Sequence, residues 1–145
     1  MKLAVIRVKG GFKMKKEFKD TLAMLRLNKN HHCVLLDNNP VNMGMIKKTR
    51  EWVTWGPINE ETLKALIKKR GRLAGNKRVS LSDKEIDKLV KDFLAGKSDL
   101  QGIKPVFRLS PPKKGWEHGT IKLQYPEGAL GPRGEDINNL LKRMI

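Results

Sequence analysis

The chain has 145 residues, with 31 lysines and arginines against 15 aspartates and glutamates, a formal net charge of +16. That length predicts one domain, or a compact core with an extension. No stretch approaches the roughly 18 consecutive apolar residues of a membrane span, and the N-terminal apolar run is too short for a signal peptide. The single cysteine, Cys33, cannot form an internal disulfide, which favours a reducing cytosolic setting.

The positive charge is concentrated in the first part of the chain. Residues 1–59 hold 12 basic and 4 acidic side chains, a net charge of +8, whereas residues 60–100 and residues 101–145 each have a net charge of +4. An excess of this size predicts a polyanionic partner, and nucleic acid is the commonest. A membrane surface is the rival polyanion, but neither a basic amphipathic helix nor a lipidation signal is well developed.

The first 59 residues predict a small β-α-β-α-β core. Its elements, in chain order, are strand 3–8, helix 17–27, strand 33–36, a helix from about residue 42, and strand 52–55. Alternation places Ala4 and Ile6 on one face of the first strand and Leu3 on the other. Gly56 and Pro57 are expected to end the last strand. The order predicts an α+β fold with a three-stranded sheet packed by two helices.

Residues 59–145 predict a mostly helical extension packed on the core of residues 1–58. Asn59 can cap a helix that ends before Gly71, with acidic residues in its first turn and basic residues in its last. Ser82 and Glu85 have capping-box spacing ahead of a clear helical stripe. The remaining predicted segments are strand 106–109, a projecting loop at 110–119, strand 121–125, a glycine-punctuated segment at 128–134 and a closing helix at 137–144.

The sequence shows almost no catalytic chemistry. A Gly-Lys-Ser sequence at 96–98 resembles the end of a phosphate loop, but position 91 lacks the required glycine and the segment follows a helix instead of opening one. The consecutive residues 31–33 cannot converge on one metal ion from a strand, so a small buried cysteine beside two polar residues is the preferred interpretation. The sequence therefore predicts no enzyme, cofactor, metal site or small-molecule substrate. A nucleotide-binding or nucleic-acid-modifying enzyme would need a convergent acid/base or metal cluster.

Basic residues instead cluster beside glycine-bearing loops, where a backbone can approach a phosphate ribbon while cations neutralise it. Trp116, in a Lys/Gly/Pro loop, is the candidate for stacking on an unpaired base, whereas Trp52 and Trp55 are expected to pack. The candidate RNA-binding residues of these clusters are Lys9, Gly10, Lys13, Lys15, Lys16, Lys47, Lys48, Arg50, Arg70, Arg72, Lys77, Arg78, Lys113, Lys114, Trp116 and Arg133.

An ordered series of motifs resembles the ribosomal protein L-thirty family of the large ribosomal subunit. The segments that carry the resemblance are LRLNKNHHCVL at 25–35, NMGMI at 42–46, WV at 52–53, FRLSPP at 107–112, PEG at 126–128 and EDINNLL at 135–141. The whole chain is similar to the longer archaeal branch, related to eukaryotic L-seven, whereas the bacterial form is similar to little more than residues 1–58. The resemblance implies a non-catalytic protein that binds ribosomal RNA beside neighbouring ribosomal proteins, in the cytoplasmic large subunit.

The resemblance also implies where RNA is contacted. The loop after the first strand, the Gly-Met start of the second helix and the tail loop at 112–115 are the implied contact surfaces. Gly44 would let the backbone approach a phosphate at a helix N-terminus. Met43 stands where many relatives have arginine, so Lys47 or Lys48 is expected to supply that contact. The alternative is a free-standing RNA-binding or RNA-annealing protein, which would sediment in light fractions and not with large subunits.

Overall fold

A computed structural model of the protein describes residues 2–10, 14–72, 82–96, 103, 106–116, 122–125 and 127–145. Both helices and strands are present, which confirms the predicted α+β class. The elements in chain order are β1 (Lys2–Arg7), α1 (Lys16–Met24), β2 (His32–Asp37), α2 (Pro40–Lys48), β3 (Val53–Pro57), α3 (Glu60–Arg70), α4 (Asp83–Leu94), β4 (Val106–Arg108), β5 (Gly131–Pro132), a 3-10 turn (Gly134–Asp136) and α5 (Ile137–Met144). No helix within the described ranges is long and apolar enough to cross a membrane.

Within the described residues the sheet has five strands, where the sequence predicts three. Its order is β4-β2-β1-β3-β5, so residues 1–58 supply the three central strands and residues 59–145 add one strand at each edge. β1 pairs antiparallel with β2 and β3, β4 pairs antiparallel with β2, and β5 runs parallel to β3. The strand predicted at 106–109 is present as β4. The sequence does not reveal β5, because a two-residue Gly-Pro strand has no alternation to detect.

Both faces of the sheet are covered, because consecutive residues of β1 are buried although neighbouring side chains of a strand point to opposite faces. Leu3 belongs to a buried cluster with Leu22 of α1 and Ile46 of α2. The neighbouring positions Ala4 and Ile6 belong to a second cluster, which contains side chains of α3, α4 and α5. The molecule therefore has three layers, with α1 and α2 on one side of the sheet and α3, α4 and α5 on the other.

α1 ends at Met24, three residues before the predicted end at residue 27. Arg26 has a φ of 63°, the left-handed conformation in which glycine commonly ends a helix. The amides of Arg26 and Leu27 donate to the carbonyls of Ala23 (3.0 Å) and Leu22 (2.9 Å), which is the Schellman arrangement. Because an arginine occupies the position that glycine usually marks, the sequence does not reveal this end.

α2 begins at Pro40, two residues before the predicted Asn42. The side chain of Asn39 accepts a hydrogen bond from the amide of Asn42 (2.8 Å), and Pro40 occupies the first helical position, where a missing N–H is tolerated. Ile46 of α2 and the C-cap residue Thr49 are fully buried.

β3 runs through Gly56 and Pro57, which were expected to end it. Its pairing with β1 continues as far as Pro57 opposite Leu3. A Cβ on Gly56 would lie 2.1 Å from the carbonyl oxygen of Gly134 and 2.9 Å from the Cβ of Ile137. The glycine therefore serves the close approach of α5 to the sheet instead of ending the strand.

The strand predicted at 121–125 is not formed by its described part, residues 122–125, which contribute one bridge between Gln124 and Leu130. The chain folds back on itself here, because the amide of Tyr125 donates to the carbonyl of Leu130 (2.7 Å) and the amide of Leu130 to that of Leu123 (3.2 Å). The alternating residues thus belong to a compact turn.

The helices predicted in the extension are present with their expected caps. The side chain of Asn59 accepts from the amide of Thr62 (2.8 Å), and that of Ser82 from the amide of Glu85 (3.4 Å). α3 ends at Arg70, as its charge pattern predicts. α5 places a stripe of five buried residues against the sheet and α3.

Candidate nucleic-acid interface

A buried arginine supports the loop that follows β1. Arg7 is 7% exposed, and its guanidinium donates to the carbonyls of Lys9 (2.9 Å) and Leu27 (2.8 Å). Burial lowers the pKa of Arg7, yet an arginine stays protonated at neutral pH, so a positive charge lies beneath the loop. Arg7 is absent from the sequence-predicted residues. The sequence feature that could have identified Arg7 is its position on the strand face that also carries Leu3 and Val5, because a charge buried there needs partners.

Lys9 and Gly10 follow the end of the sheet directly, as predicted. The amides of Val8 and Lys9 both donate to the carbonyl of Trp52 (2.8 and 3.3 Å), which fixes the base of the loop to the chain entering β3. Lys9 is half-buried and Gly10 is exposed. A Cβ on Gly10 would make only ordinary contact with Asn30, at 3.5 Å, so the glycine leaves an open stretch of backbone without being sterically required.

Two exposed lysines mark the start of α1. Lys15 is the N-cap and Lys16 the first helical residue, and both side chains are exposed.

Farther along the same helix the ring of Phe18 packs on Trp52, with centroids 4.8 Å apart. Trp55 is 7% exposed, so the prediction that Trp52 and Trp55 pack is confirmed.

Gly44 does not lie at a helix N-terminus. It is the fifth residue of α2, where helix geometry pairs its amide with the carbonyl of Pro40. The expectation of a free amide at Gly44 facing a phosphate is therefore wrong, because Asn39 and Pro40 begin the helix earlier. A Cβ on Gly44 would meet nothing within 4 Å, so the position is an open point on the surface of α2. Lys47 and Lys48 form the exposed last turn of the helix.

Arg50 follows α2 and shares an open groove with Lys9. The groove has a volume of about 520 Å³ and is lined by Lys9, Arg50, Glu51, Lys122, Leu123 and Gln124. The side-chain amide of Gln124 donates to the carbonyl of Arg50 (3.4 Å). The fold thus brings two sequence-predicted residues together and adds Lys122, which was not predicted.

Lys113 and Lys114 are exposed on a turn that lies against the end of α5 instead of projecting. The amide of Lys113 donates to the carbonyl of Arg143 (3.0 Å), and the guanidinium of Arg143 donates to the carbonyl of Gly115 (2.9 Å). Lys114 and Gly115 have φ values of 65° and 75°, the left-handed conformation of a tight turn.

Trp116 connects the extension to the core. Its ring stacks on His31, with centroids 6.1 Å apart and planes 10° apart, and it packs beside the buried Val8 and Leu130. The residue predicted to stack on a base therefore already has a ring partner within the protein. Trp116 therefore contacts Val8, which follows β1, and His31, which precedes β2.

Arg133 was predicted to bind RNA, but it is 5% exposed and makes internal contacts. Its Nε donates to Oγ1 of Thr54 (2.8 Å) and its Nη2 to the carbonyl of Ala129 (3.0 Å). The guanidinium also lies 4.9 Å from the centroid of the Tyr125 ring. Because Thr54 lies on the strand beside β5, the fold turns this arginine inward and gives it a structural role.

Arg70 and Arg72 lie at the end of α3 and are partly exposed. Arg70 donates to the hydroxyl of Ser110 (2.6 Å), and Arg72 donates to the carbonyl of Gly71 (3.0 Å), so both are partly engaged within the protein. The predicted candidates that lie outside the described residues are Lys13, Lys77 and Arg78.

The His31–Cys33 segment is structural. Cys33 is fully buried, which raises the pKa of its thiol to about 12 and leaves it unreactive. Burial lowers the pKa of His31 and His32, and the charges of Arg108 and Lys29 lower that of His32 further. Over the described part of the chain, no group of three or more His, Cys, Asp or Glu side chains is placed to hold a metal ion.

Comparison with known proteins gives this architecture a family. Residues 3–53 match the family model described as ribosomal protein L30p/L7e. The chain is 46% identical to the large ribosomal subunit protein uL30 of Methanococcus vannielii over the full length of both chains. This chain belongs to the ribosomal protein L30p/L7e family. Proteins of the same name from Methanobrevibacter smithii and Archaeoglobus fulgidus are 45% and 42% identical, each alignment covering 97% of this chain and 98% of the relative.

Membership of the ribosomal protein L30p/L7e family confirms the resemblance inferred from the motifs, including its archaeal type, and identifies the chain as a ribosomal protein and not an enzyme. The family model ends at residue 53, after the first residue of β3. The groove beside Lys9 also uses Lys122 and Gln124. Part of this surface thus lies beyond the region that the family model matches.

Proposed function

We propose that this chain is a non-catalytic structural component of the large ribosomal subunit, in the cytoplasm, where it binds ribosomal RNA and contacts neighbouring ribosomal proteins. The observation that carries the proposal is the 46% identity, over the full length, to a protein named as part of that subunit. The net charge of +16 supports it, because solubility alone needs only about 2–8 charges. The proposal involves no cofactor and no small-molecule substrate.

In this proposal residues 1–58 are the RNA-binding core and residues 59–145 are the extension packed on it. Exposed cations carry the binding, so the protein recognises phosphate positions and RNA shape more than base sequence. Gly44 leaves room on the surface of α2, and Trp116 is a half-buried ring beside the loops. The proposed phosphate contacts are Lys9, Gly10, Lys15, Lys16, Lys47, Lys48, Arg50, Arg70, Arg72, Lys113 and Lys114, together with Lys13, Lys77 and Arg78 outside the described residues.

Charge reversal at the start of α1 tests the RNA interface. We expect the double variant Lys15→Glu/Lys16→Glu to bind deproteinised large-subunit RNA at least about 60-fold more weakly at 0.1 M salt, because each lost phosphate contact weakens binding about eightfold there. The slope of log affinity against log salt should become shallower by about 1.8. Filter binding over a salt series measures both quantities.

The matched control is Lys84→Glu/Lys88→Glu, which reverses two exposed lysines on α4, on the opposite side of the sheet. It makes the same change in net charge, so a general electrostatic effect would weaken RNA binding equally in both variants. An equal loss of affinity in the two variants, or an unchanged salt slope in the first, would remove the α1 lysines from the interface.

Sedimentation separates a subunit component from a free-standing RNA-binding protein. We expect the full chain to sediment with large ribosomal subunits at moderate salt and to leave them only as salt rises. Recovery in the light fractions at moderate salt would favour the free-standing alternative.

A further inference from the structure

Three cations from distant parts of the chain line one groove, and we propose that this groove binds a phosphodiester segment of RNA. The contacts are Lys9 after β1, Arg50 after α2 and Lys122 of the extension. The inference rests on the proposed function and deepens it, because it assigns one RNA segment to a single groove that residues 1–58 and Lys122 of the extension form together.

Backbone contacts hold the sides of the groove together. The Lys9 side is fixed by the amides of Val8 and Lys9, which share the carbonyl of Trp52. The opposite side is fixed by the side chain of Gln124, which donates to the carbonyl of Arg50 (3.4 Å). The order along the chain would not place position 122 near positions 9 and 50, so the juxtaposition is a product of the tertiary fold.

Two glycines make the Lys122 side of the groove possible. A Cβ on Gly128 would lie 2.3 Å from the carbonyl oxygen of Leu123, and a Cβ on Gly131 would lie 2.0 Å from Oε1 of Gln124. Gly131 also has a φ of 83°, which favours glycine. The glycine spacing at 128–134 thus has a specific role, since it lets the chain fold tightly enough to bring residues 122–124 against the end of α2.

The charge of the groove favours an extended polyanion. Among the described residues that line the groove, three are cations and one, Glu51, is a carboxylate, so cations are in excess there. Like charges gathered in a concave surface focus a positive potential there, and a bound phosphate relieves their repulsion. Leu123, which is 51% exposed at the same surface, adds an apolar contact suited to a ribose or a base. An RNA strand offers both features, with phosphates and apolar rings repeating along one chain.

Neutral substitution of Lys122 tests the assignment with the full chain and deproteinised large-subunit RNA. We expect Lys122→Gln to bind about eightfold more weakly at 0.1 M salt, with a salt slope shallower by about 0.9, since one phosphate contact is lost. Lys122→Arg keeps the charge and should bind within about twofold of the unmodified chain. Arg50→Gln/Lys122→Gln should bind about 60-fold more weakly, the product of two separate contacts.

Lys88→Gln is the matched control, because it removes one exposed lysine from α4 on the far side of the sheet. If the unmodified chain and Lys88→Gln bind RNA and Lys122→Gln binds as tightly with the same salt slope, the groove assignment is overturned and RNA binding by the protein stands. If Lys122→Gln lowers incorporation into large subunits without changing RNA affinity, the groove belongs to an acidic partner protein, which also overturns it. If the unmodified chain binds no RNA, the proposed function and the groove fail together.

Discussion

The two sides of the sheet differ in how their exposed cations are paired with carboxylates. On the side of α3, α4 and α5, cations lie beside carboxylates. Among the described residues, the ion pairs there include Lys64 with Glu60 (3.3 Å) and with Asp87 (2.9 Å), Lys68 with Asp83 (3.2 Å), and Lys142 with Glu61 (3.7 Å). On the side of α1 and α2, exposed lysines lie at the helix ends at 15–16 and 47–48. α1 has Glu17 in its first turn, whereas α2 has no acidic residue there.

This difference concerns which exposed cations are paired with carboxylates within the protein and which are not. Exposed ion pairs stabilise a fold only weakly, typically by less than about 1 kcal/mol each, but they neutralise the surface that carries them. On the side of α1 and α2, the exposed lysines at 15–16 and 47–48 have no ion-pair partner among the described residues. Both sides nevertheless have well-buried apolar clusters, so the contrast concerns the surface and not the packing beneath it.

The largest expected effect tests whether packing is equally important on both sides. Leu140 of α5 and Leu22 of α1 are both almost completely buried, one in each cluster. We expect Leu140→Ala and Leu22→Ala each to lower the free energy of unfolding by about 3 kcal/mol, as deletion of a buried leucine side chain typically does. Urea unfolding measures the change. A loss below about 1 kcal/mol for only one variant would show that packing is not equally important on the two sides.

Two glycines sharpen the comparison, because they face different surroundings on the two sides. Gly56 meets the backbone of Gly134 and the side chain of Ile137, whereas Gly44 meets nothing within 4 Å. We expect Gly56→Ala to lower the free energy of unfolding by about 2 kcal/mol through overpacking, and Gly44→Ala to raise it by about 0.5–1 kcal/mol through helix propensity. Thermal unfolding of the two variants gives the signs, and equal signs would contradict this account.

The smallest expected effect is a loss of stability at acid pH that depends on His32, the first residue of β2. Burial, followed by the charges of Arg108, Lys29, Arg7 and His31, lowers the pKa of His32 in the folded chain. The unfolded chain therefore takes up the proton first, and stability falls as pH drops from about 6.5 toward the lower folded pKa.

We expect the Tm to fall between pH 7.5 and pH 5, and to fall less for a His32→Gln variant. Calorimetry at the two pH values measures this difference. An identical fall in the variant would assign the acid sensitivity to other groups, of which His31 is the nearest with a similarly lowered pKa.

Local patterns predicted most of the elements, and the errors have identifiable physical causes. Apolar stripes and caps located α3 and α4, because those signals lie within the helix itself. The end of α1 was missed because Arg26 adopts a conformation that glycine usually marks. β5 was missed because it exists only through its contact with β3.

The candidate site was predictable only in part, for the same reason. Lys9, Lys15 and Lys47 lie where charge and local breaks in the pattern suggested. Arg133 is buried through a contact with Thr54, 79 positions earlier in the chain, and no local pattern encodes that. Lys122 joins the groove through the same kind of long-range folding.

The two edge strands have a consequence for the order in which the chain is made. Synthesis delivers β1, β2 and β3 first, and until β4 and β5 follow, the outer edges of β2 and β3 have open backbone donors and acceptors. Open edges are templates for association with other chains, and very short edge strands are a common protection against it. β4 has three residues and β5 has two. The late segments therefore protect the early ones, because β4 and β5 cover the outer edges of β2 and β3 and close the sheet against self-association.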